Sequence, residues 1–205
     1  MEVDGGEPSS LLLDHLLIPV GAKLMIHVKS FGTTVEDHLP RSLDNLRNLS
    51  DFIDVRVGEP NQHMRLRGLN GQLQMTTSRN NNICVAVEIL ARFDTSKTER
   101  LEVFNDDCLS RNLPNQTLLA MENLCTLSLR SHWGNPSAFV DALNPNTSLS
   151  NVVVCPKLEE LILVLHGNAM ESHIERVIEM ARARASRQNS GLLGSSVDGT
   201  NLTRG

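Results

Sequence analysis

The clearest pattern in the chain is a pair of motifs in which leucines alternate with polar residues. The spacing L-x-x-L-x-L occurs twice, at Leu124, Leu127 and Leu129 and again at Leu158, Leu161 and Leu163. All three leucines recur after the same interval, so the two motifs are in perfect register. Residues at i and i+2 of a strand point to the same face, and the earlier leucine closes the preceding loop over the same core. Both motifs therefore predict a loop followed by a half-buried strand.

The same alternation predicts further strands upstream. Leu101 and Val103 form a pair like Leu127 and Leu129, with Thr98 at the position of the first leucine. Two earlier strands are predicted from alternating apolar residues, at Leu24, Ile26 and Val28 and at Ile53, Val55 and Val57. Residues 64–66 and 73–75 flank Asn70-Gly71 and predict a hairpin with a type I′ turn. Residues 83–89 alternate cleanly and predict one more strand.

Helical signals lie between the strands. Asn135 and Pro136 begin one predicted helix, and a further start lies at Thr33 and Glu36. The last helix begins near Asn168 with an Asn-x-x-Glu pattern, and its apolar residues recur at helical spacing. Its three arginines, Arg182, Arg184 and Arg187, indicate a solvated face that also suits the helix dipole.

Together these elements predict an α/β fold. Its form would be an irregular leucine-rich-repeat-like solenoid with a mostly parallel sheet, helices on the outer face and an inserted hairpin. The alternative is a compact α/β sandwich with a mixed sheet. The predicted domain covers residues 11–187, between a disordered N-terminus at 1–10 and a disordered tail at 188–205 that is rich in Ser, Gly and Asn.

Composition narrows the function classes. The formal charge of −5 argues against nucleic-acid binding, which needs a basic surface. The four cysteines lack the close spacing of a zinc site and indicate free thiols of a reducing compartment. No apolar run approaches the length of a membrane span, and the N-terminus does not resemble a targeting peptide. We therefore expect an intracellular protein, cytoplasmic or nuclear, without a membrane partner.

Catalytic chemistry has no recognisable motif here. Phosphate-binding loops, dinucleotide fingerprints, zinc-protease motifs and nucleophile elbows are all absent from the sequence. Glu36-Asp37-His38 is typical of the acidic start of a helix, and Asp106-Asp107-Cys108 is typical of a polar turn after a strand. The sequence predicts no catalytic, cofactor-binding or metal site, and no cofactor. A small hydrolase or transferase without a known motif, or a truncated remnant without a selected function, remains as an alternative.

Several segments resemble the leucine-rich-repeat-like C-terminal region of fungal F-box proteins. The resemblance lies in residues 15–24, 35–40, 155–161 and 177–187, the last of which is similar to the helix after the final strand in that group. It implies a protein that selects substrates for a ubiquitin ligase. We find no counterpart of the F-box before Leu24, so a ligase adaptor is expected as a partner only if an F-box lies outside this chain.

The function expected from these observations is a non-enzymatic protein-interaction domain. Its contacts with a protein partner would come from the sheet positions that alternate with leucine, and from a tryptophan just after one strand. The candidate partner-binding residues are Thr126, Ser128, Arg130, Trp133, Glu160, Ile162 and Val164.

Overall fold

The chain forms a mixed α/β structure around one mostly parallel sheet. The structure is a computed structural model that describes residues 13, 15, 17–28, 43, 46, 49, 51–59, 62–77, 90–104, 117–131, 137–147, 153–165 and 170–193. Its elements in chain order are β1 (Lys23–Val28), β2 (Phe52–Glu59), β3 (Gln62–Gly68), β4 (Gln72–Thr77), β5 (Arg100–Phe104), β6 (Thr126–Ser131), α1 (Ser137–Leu143), β7 (Glu160–Leu165) and α2 (Met170–Leu193).

Within those residues the sheet has seven strands in the order β1-β4-β3-β2-β5-β6-β7. The pairs β1–β4, β2–β5, β5–β6 and β6–β7 are parallel, and the hairpin β3–β4 and the pair β2–β3 are antiparallel. The mostly parallel sheet and the inserted hairpin are therefore confirmed. The sequence repeat is also the pairing register, because Leu127 lies opposite Leu161 on one side and Leu101 on the other.

A continuous row of apolar residues crosses the whole sheet on its core face. Each member is the register partner of the next, in the order Leu24, Leu73, Leu66, Val55, Leu101, Leu127 and Leu161. The first six are buried and Leu161 is half-buried. α1 and α2 pack into the same apolar cluster, α1 through Phe139 and Leu143 and α2 through Met180. Burying such side chains stabilises the fold by about 2 kcal/mol each.

The turns that lead into the parallel strands repeat as well. In each turn a backbone N–H donates to the carbonyl three residues earlier: Thr98 to Thr95 at 3.0 Å, Leu124 to Met121 at 3.2 Å and Leu158 to Cys155 at 3.1 Å. Thr98, which replaces the leucine of the motif, is fully buried and donates its hydroxyl to the carbonyl of Phe52 at 3.1 Å. The hydrogen bond satisfies a hydroxyl that would otherwise be costly to bury.

Polar contacts tie these turns to one another. Lys97 Nζ lies 2.6 Å from Asp51 Oδ1, and this hydrogen bond raises the pKa of Lys97. Asn123 donates to the carbonyl of Ser96 at 2.7 Å and accepts from Lys157 Nζ at 2.5 Å. Positions 51, 97, 123 and 157 each precede a strand of the parallel part of the sheet. The contacts therefore hold successive turns in the same alignment as the strands.

Two local predictions about the strands were wrong. β2 contains an irregularity between Phe52 and Asp54, preceded by a left-handed Asp51 with φ 61°. As a result the buried residue at the start of the strand is Phe52, whereas Ile53 is only half-buried. In the hairpin, Gly68 donates to the carbonyl of Gly71, which makes residues 69 and 70 the centre of the turn. The turn is thus one residue earlier than the predicted Asn70-Gly71 type I′ turn.

Other predictions concern the helices. The helix predicted after Pro136 is confirmed by α1, and the last helix is confirmed by α2. α2 continues to Leu193, so residues 188–193 are helical rather than disordered, and no basic residue lies in its last turn. The predicted strand at 83–89 and most of the predicted helix after Thr33 lie outside the described residues, as do residues 1–10 and 194–205.

Arg184 of α2 is buried and links two parts of the fold. The prediction that it lies on a solvated face was therefore wrong. Its side chain is 8% exposed and donates to the carbonyls of Leu143 at 3.3 Å, Val154 at 2.8 Å and Cys155 at 2.6 Å. Burial lowers the pKa of Arg184. The guanidinium thereby joins α2 to the end of α1 and to the turn before β7.

The thiol of Cys155 lies beside this link. Cys155 is 2% exposed, has a left-handed φ of 48° and donates from Sγ to the carbonyl of Leu118 at 3.3 Å. Burial raises its pKa from 9.0 to about 12, although the charge of Arg184 acts in the opposite direction. Cys125 is a half-buried free thiol, and Cys84 and Cys108 lie outside the described residues. A thiol of the kind at Cys155 stays protonated at neutral pH.

The raised pKa of Cys155 predicts a loss of stability in alkaline solution. The unfolded thiol ionises near its ordinary pKa of 9.0 and the folded one only near 12. The stabilising contribution is therefore complete below about pH 9 and is lost as the pH rises toward about 12, by about 1.4 kcal/mol per pH unit. In reducing urea titrations at about pH 8 and about pH 10.5, wild type should lose about 2 kcal/mol more than Cys155→Ala. Equal losses in the two proteins would contradict this assignment.

Candidate partner-binding face of the sheet

The face of the sheet opposite the leucines carries most of the candidate binding residues. The register places a row of side chains across all seven strands near the start of the parallel strands: Lys23, Gln72, Arg67, Asp54, Arg100, Thr126 and Glu160. The next row runs through Met25, Gln74, Arg65, Arg56, Glu102, Ser128 and Ile162. We call these the first row and the second row. Neighbouring strands are ~4.8 Å apart, so side chains within a row are close enough to interact.

Glu102 is the centre of a charge network in the second row. Although only 7% of the residue is exposed, its Oε1 lies 2.8 Å from Nε of Arg130 and its Oε2 lies 3.5 Å from Nε of Arg56. Arg56 Nε also lies 3.6 Å from Asp54 Oδ1. Two arginines on either side of one buried carboxylate compensate for its loss of hydration. The network links β2, β5 and β6 on this face.

Arg130 extends the network toward solvent. Its side chain is half exposed, and its guanidinium lies 5.3 Å from the centre of the Phe104 ring, in the geometry of a cation–π contact. In the first row, Thr126 donates its hydroxyl to Oε2 of the exposed Glu160 at 3.3 Å. Side chains with such anchors lose less conformational freedom when a partner binds them.

The structure brings six of the seven predicted binding residues onto one face, over β6 and β7. Arg130 and Glu160 are exposed, whereas Thr126, Ile162 and Val164 are half-buried. Ser128 is 5% exposed, and its hydroxyl oxygen has no hydrogen-bond partner among the residues that the structure describes. Ser128 therefore contributes little accessible surface. Trp133 lies outside the described residues.

Sequence reasoning missed the charged residues of this face on the earlier strands. Arg56 and Glu102 alternate with buried valines and leucines in the same way as Thr126 alternates with Leu127. Applying the alternation rule to every predicted strand would have found them, along with Arg67 on the hairpin and Arg100. The sequence does not reveal that the hairpin lies next to β2, which brings Arg65 and Arg56 side by side.

The described residues contain neither a cluster of metal ligands nor a membrane-spanning helix. No group of three or more His, Cys, Asp or Glu side chains there is placed to hold a metal ion. No helix in that part of the chain combines the length and the apolar composition required to cross a membrane. Comparison with known proteins gave no match to a family model, to a curated protein or to a solved structure.

Proposed function

We propose that this chain is a non-enzymatic protein-interaction domain that binds its partner with the polar face of the sheet. The observation that carries this proposal is the continuity of the first and second rows across strands that are far apart in sequence. The first row, with four exposed and three half-buried side chains, offers a surface that can vary without altering the leucines of the opposite face, whereas Gln74, Glu102 and Ser128 of the second row are buried. Rigid sheets that present variable side chains are well suited to recognition.

We further propose that the parallel part of the sheet is an irregular leucine-rich-repeat-like solenoid. The repeated turns at Thr98, Leu124 and Leu158 support this, because the same hydrogen bond precedes each strand. The constant interval between the last two motifs, matched by their pairing register, supports it as well. In a solenoid each repeat packs mainly against its neighbours, and the sheet forms one continuous binding surface.

The resemblance to fungal F-box proteins suggests which kind of complex this domain belongs to. In that setting the chain would correspond to the substrate-recognition part of an intracellular ubiquitin-ligase receptor. The contact to the ligase adaptor would require an F-box elsewhere. This chain by itself would supply substrate recognition, through Arg130, Glu160 and their neighbours.

The test is a quantitative affinity capture from cells of the source organism. The tagged full chain would be compared with the double variant Arg130→Ala/Glu160→Ala and with the control Glu175→Ala/Arg182→Ala. The control removes one acidic and one basic side chain from exposed positions of α2, so it matches the test variant in chemistry and net charge. We expect specific partners to fall by about tenfold for the sheet variant only, as for the loss of interface hot spots.

The outcomes separate the parts of the proposal. Partners that bind the sheet variant as well as wild type, with both proteins folded, would overturn the assignment of the binding face. Recovery of a ligase adaptor and a cullin together with specific partners would support the ligase connection. Specific partners without the adaptor would support an interaction domain that is separate from a ligase.

A further inference from the structure

We infer that the partner contributes an acidic peptide segment, which lies over the part of the sheet formed by β1, β4, β3, β2 and β5. This inference rests on the proposed function and adds the chemistry of the partner. The two rows, together with Arg130, hold six basic and three acidic side chains, a net charge of +3, whereas the whole chain carries −5. A local positive surface on an acidic protein favours an anionic ligand.

The charges around Glu102 are largely compensated. Glu102 lies between Arg56 and Arg130, and Arg56 also faces Asp54. Arg56 lies between two carboxylates, whereas Arg130 keeps half of its side chain exposed. An acidic segment would therefore gain little from pairing with Arg56.

The first row contains the cations that remain available. Lys23, Arg67 and Arg100 are exposed, and within the described part of the chain none of the three takes part in an ion pair. Asp54 lies between Arg67 and Arg100 in this row, and its charge is shared with Arg56. The row ends in Glu160 at β7, so the β7 end repels the same acidic segment that the other end attracts.

The spacing of these cations suggests the form of the segment. Lys23, Arg67 and Arg100 occupy the first, third and fifth strands of the sheet. Strands are ~4.8 Å apart, so successive cations of the row are about 10 Å apart along it. A peptide in the extended polyproline II conformation advances by about 3.1 Å per residue with three residues per turn, so side chains three positions apart lie on the same side, about 9 Å from one another. Carboxylates at every third residue would face all three cations, and an arginine can bind a carboxylate with two hydrogen bonds.

The first experiment measures peptide binding to the full chain by fluorescence anisotropy. The probe is a fluorescein-labelled peptide of about ten residues with Glu at every third position and Ser between them. The comparison peptides replace every Glu with Gln, or move all the Glu residues to one end. We expect the spaced Glu peptide to bind at least about tenfold more tightly than the Gln peptide, and more tightly than the clustered one. Raising NaCl from about 50 mM to about 500 mM should weaken this binding, because salt screens exposed charges.

Variants then assign the binding to the first row. Arg67→Glu and Arg100→Glu should each weaken binding by about tenfold, whereas Arg182→Glu on α2 should leave it unchanged. Arg182 is exposed, and its replacement changes the net charge by the same amount. Urea titrations of all three variants, with free energies of unfolding near that of wild type, would confirm that the comparison concerns binding rather than folding.

Three results would overturn the inference. These are equal affinity for the Glu and Gln peptides, an equal effect of Arg100→Glu and Arg182→Glu, or tighter binding of a labelled single-stranded RNA of similar length. The capture experiment keeps the two proposals distinct. Loss of partners from the Arg130→Ala/Glu160→Ala variant without any binding of acidic peptide would leave the proposed function standing and remove this inference alone.

Discussion

Arg184→Met should reduce the free energy of unfolding by about 3 kcal/mol, because a buried acceptor left without a partner costs about 1–3 kcal/mol. In this variant the carbonyls of Leu143 and Val154 lose their side-chain donor, whereas that of Cys155 keeps the N–H of Leu158. Arg184 is buried and donates hydrogen bonds to three carbonyl oxygens, two of them in the turn before β7 and one at the end of α1. Methionine fills similar space but donates nothing, so these oxygens lose a charged donor. The removal of a buried charge offsets part of the total. Urea unfolding at neutral pH measures the difference.

Two further variants make this prediction specific. Arg182→Met, two residues away on the exposed side of α2, should change stability by less than about 0.5 kcal/mol. Arg184→Lys should lie in between, because an ammonium group cannot reach all three carbonyls in the way a guanidinium does. Similar stability of the two methionine variants would show that Arg184 does not join the helices to the turn. If Arg184→Met fails to fold, Arg184→Lys against Arg182→Lys decides the same question.

Gly58→Ala should destabilise the protein by about 3–5 kcal/mol, since it combines backbone strain with a steric clash. Gly58 lies in β2 with a φ of +79°, a conformation that costs a residue with a side chain about 1–2 kcal/mol. A Cβ atom at this position would also overlap the backbone carbonyl of Phe104 in β5. The backbone cannot yield without separating two paired strands of the central sheet, which adds the larger part of the loss. Thermal or urea unfolding measures the effect.

Gly21→Ala is the matched control for this glycine. Gly21 has nearly the same φ, +81°, but a Cβ there would meet no atom of the described part of the chain within 4 Å. Its replacement should therefore cost only the conformational part, about 1–2 kcal/mol. The difference between the two alanine variants isolates the contact with Phe104. Equal destabilisation would mean that β2 and β5 can shift apart at this point without loss.

The parallel part of the fold could be predicted because its apolar residues repeat at regular intervals in the sequence. The leucines of the two motifs recur at one constant interval, and the strands pair in that same register. Leu101 and Val103 in β5 follow the rule as well, even though Thr98 replaces one leucine. Alternation of apolar residues is a local signal, so it predicts a strand even when the strands that pair with it are unknown.

The features that sequence reasoning missed depend on contacts between distant residues or on one unusual backbone angle. Arg184 and Arg182 are the same residue type two positions apart in one helix, so the sequence does not distinguish them. Arg184 is buried because it donates to the carbonyls of residues 143, 154 and 155, which come from distant parts of the chain. The left-handed Asp51 precedes the irregularity in β2 and leaves Phe52 rather than Ile53 in the core. Aspartate tolerates that conformation better than most residues, but the sequence alone does not show that it adopts it.

On the candidate binding face, too, some features follow from the sequence and others do not. The exposure of Arg130 and Glu160 follows from their alternation with leucine, and the structure agrees with it. The burial of Ser128, like that of Gln74 and Glu102 in the same row, does not follow from the alternation. The charge network around Glu102 could not be foreseen, since it requires β2, β5 and β6 to be neighbours.

The repeated turns have a consequence for how this protein can diverge. Asp54, Arg100, Thr126 and Glu160 lie opposite one another on successive parallel strands, although the three connections between them all differ in length. The turn immediately before each strand sets the alignment, and the length of the preceding connection does not. Lengthening a flexible connection costs little free energy, because closure entropy grows only slowly with length. Insertions and deletions between strands could therefore accumulate in a lineage while the first and second rows keep their geometry.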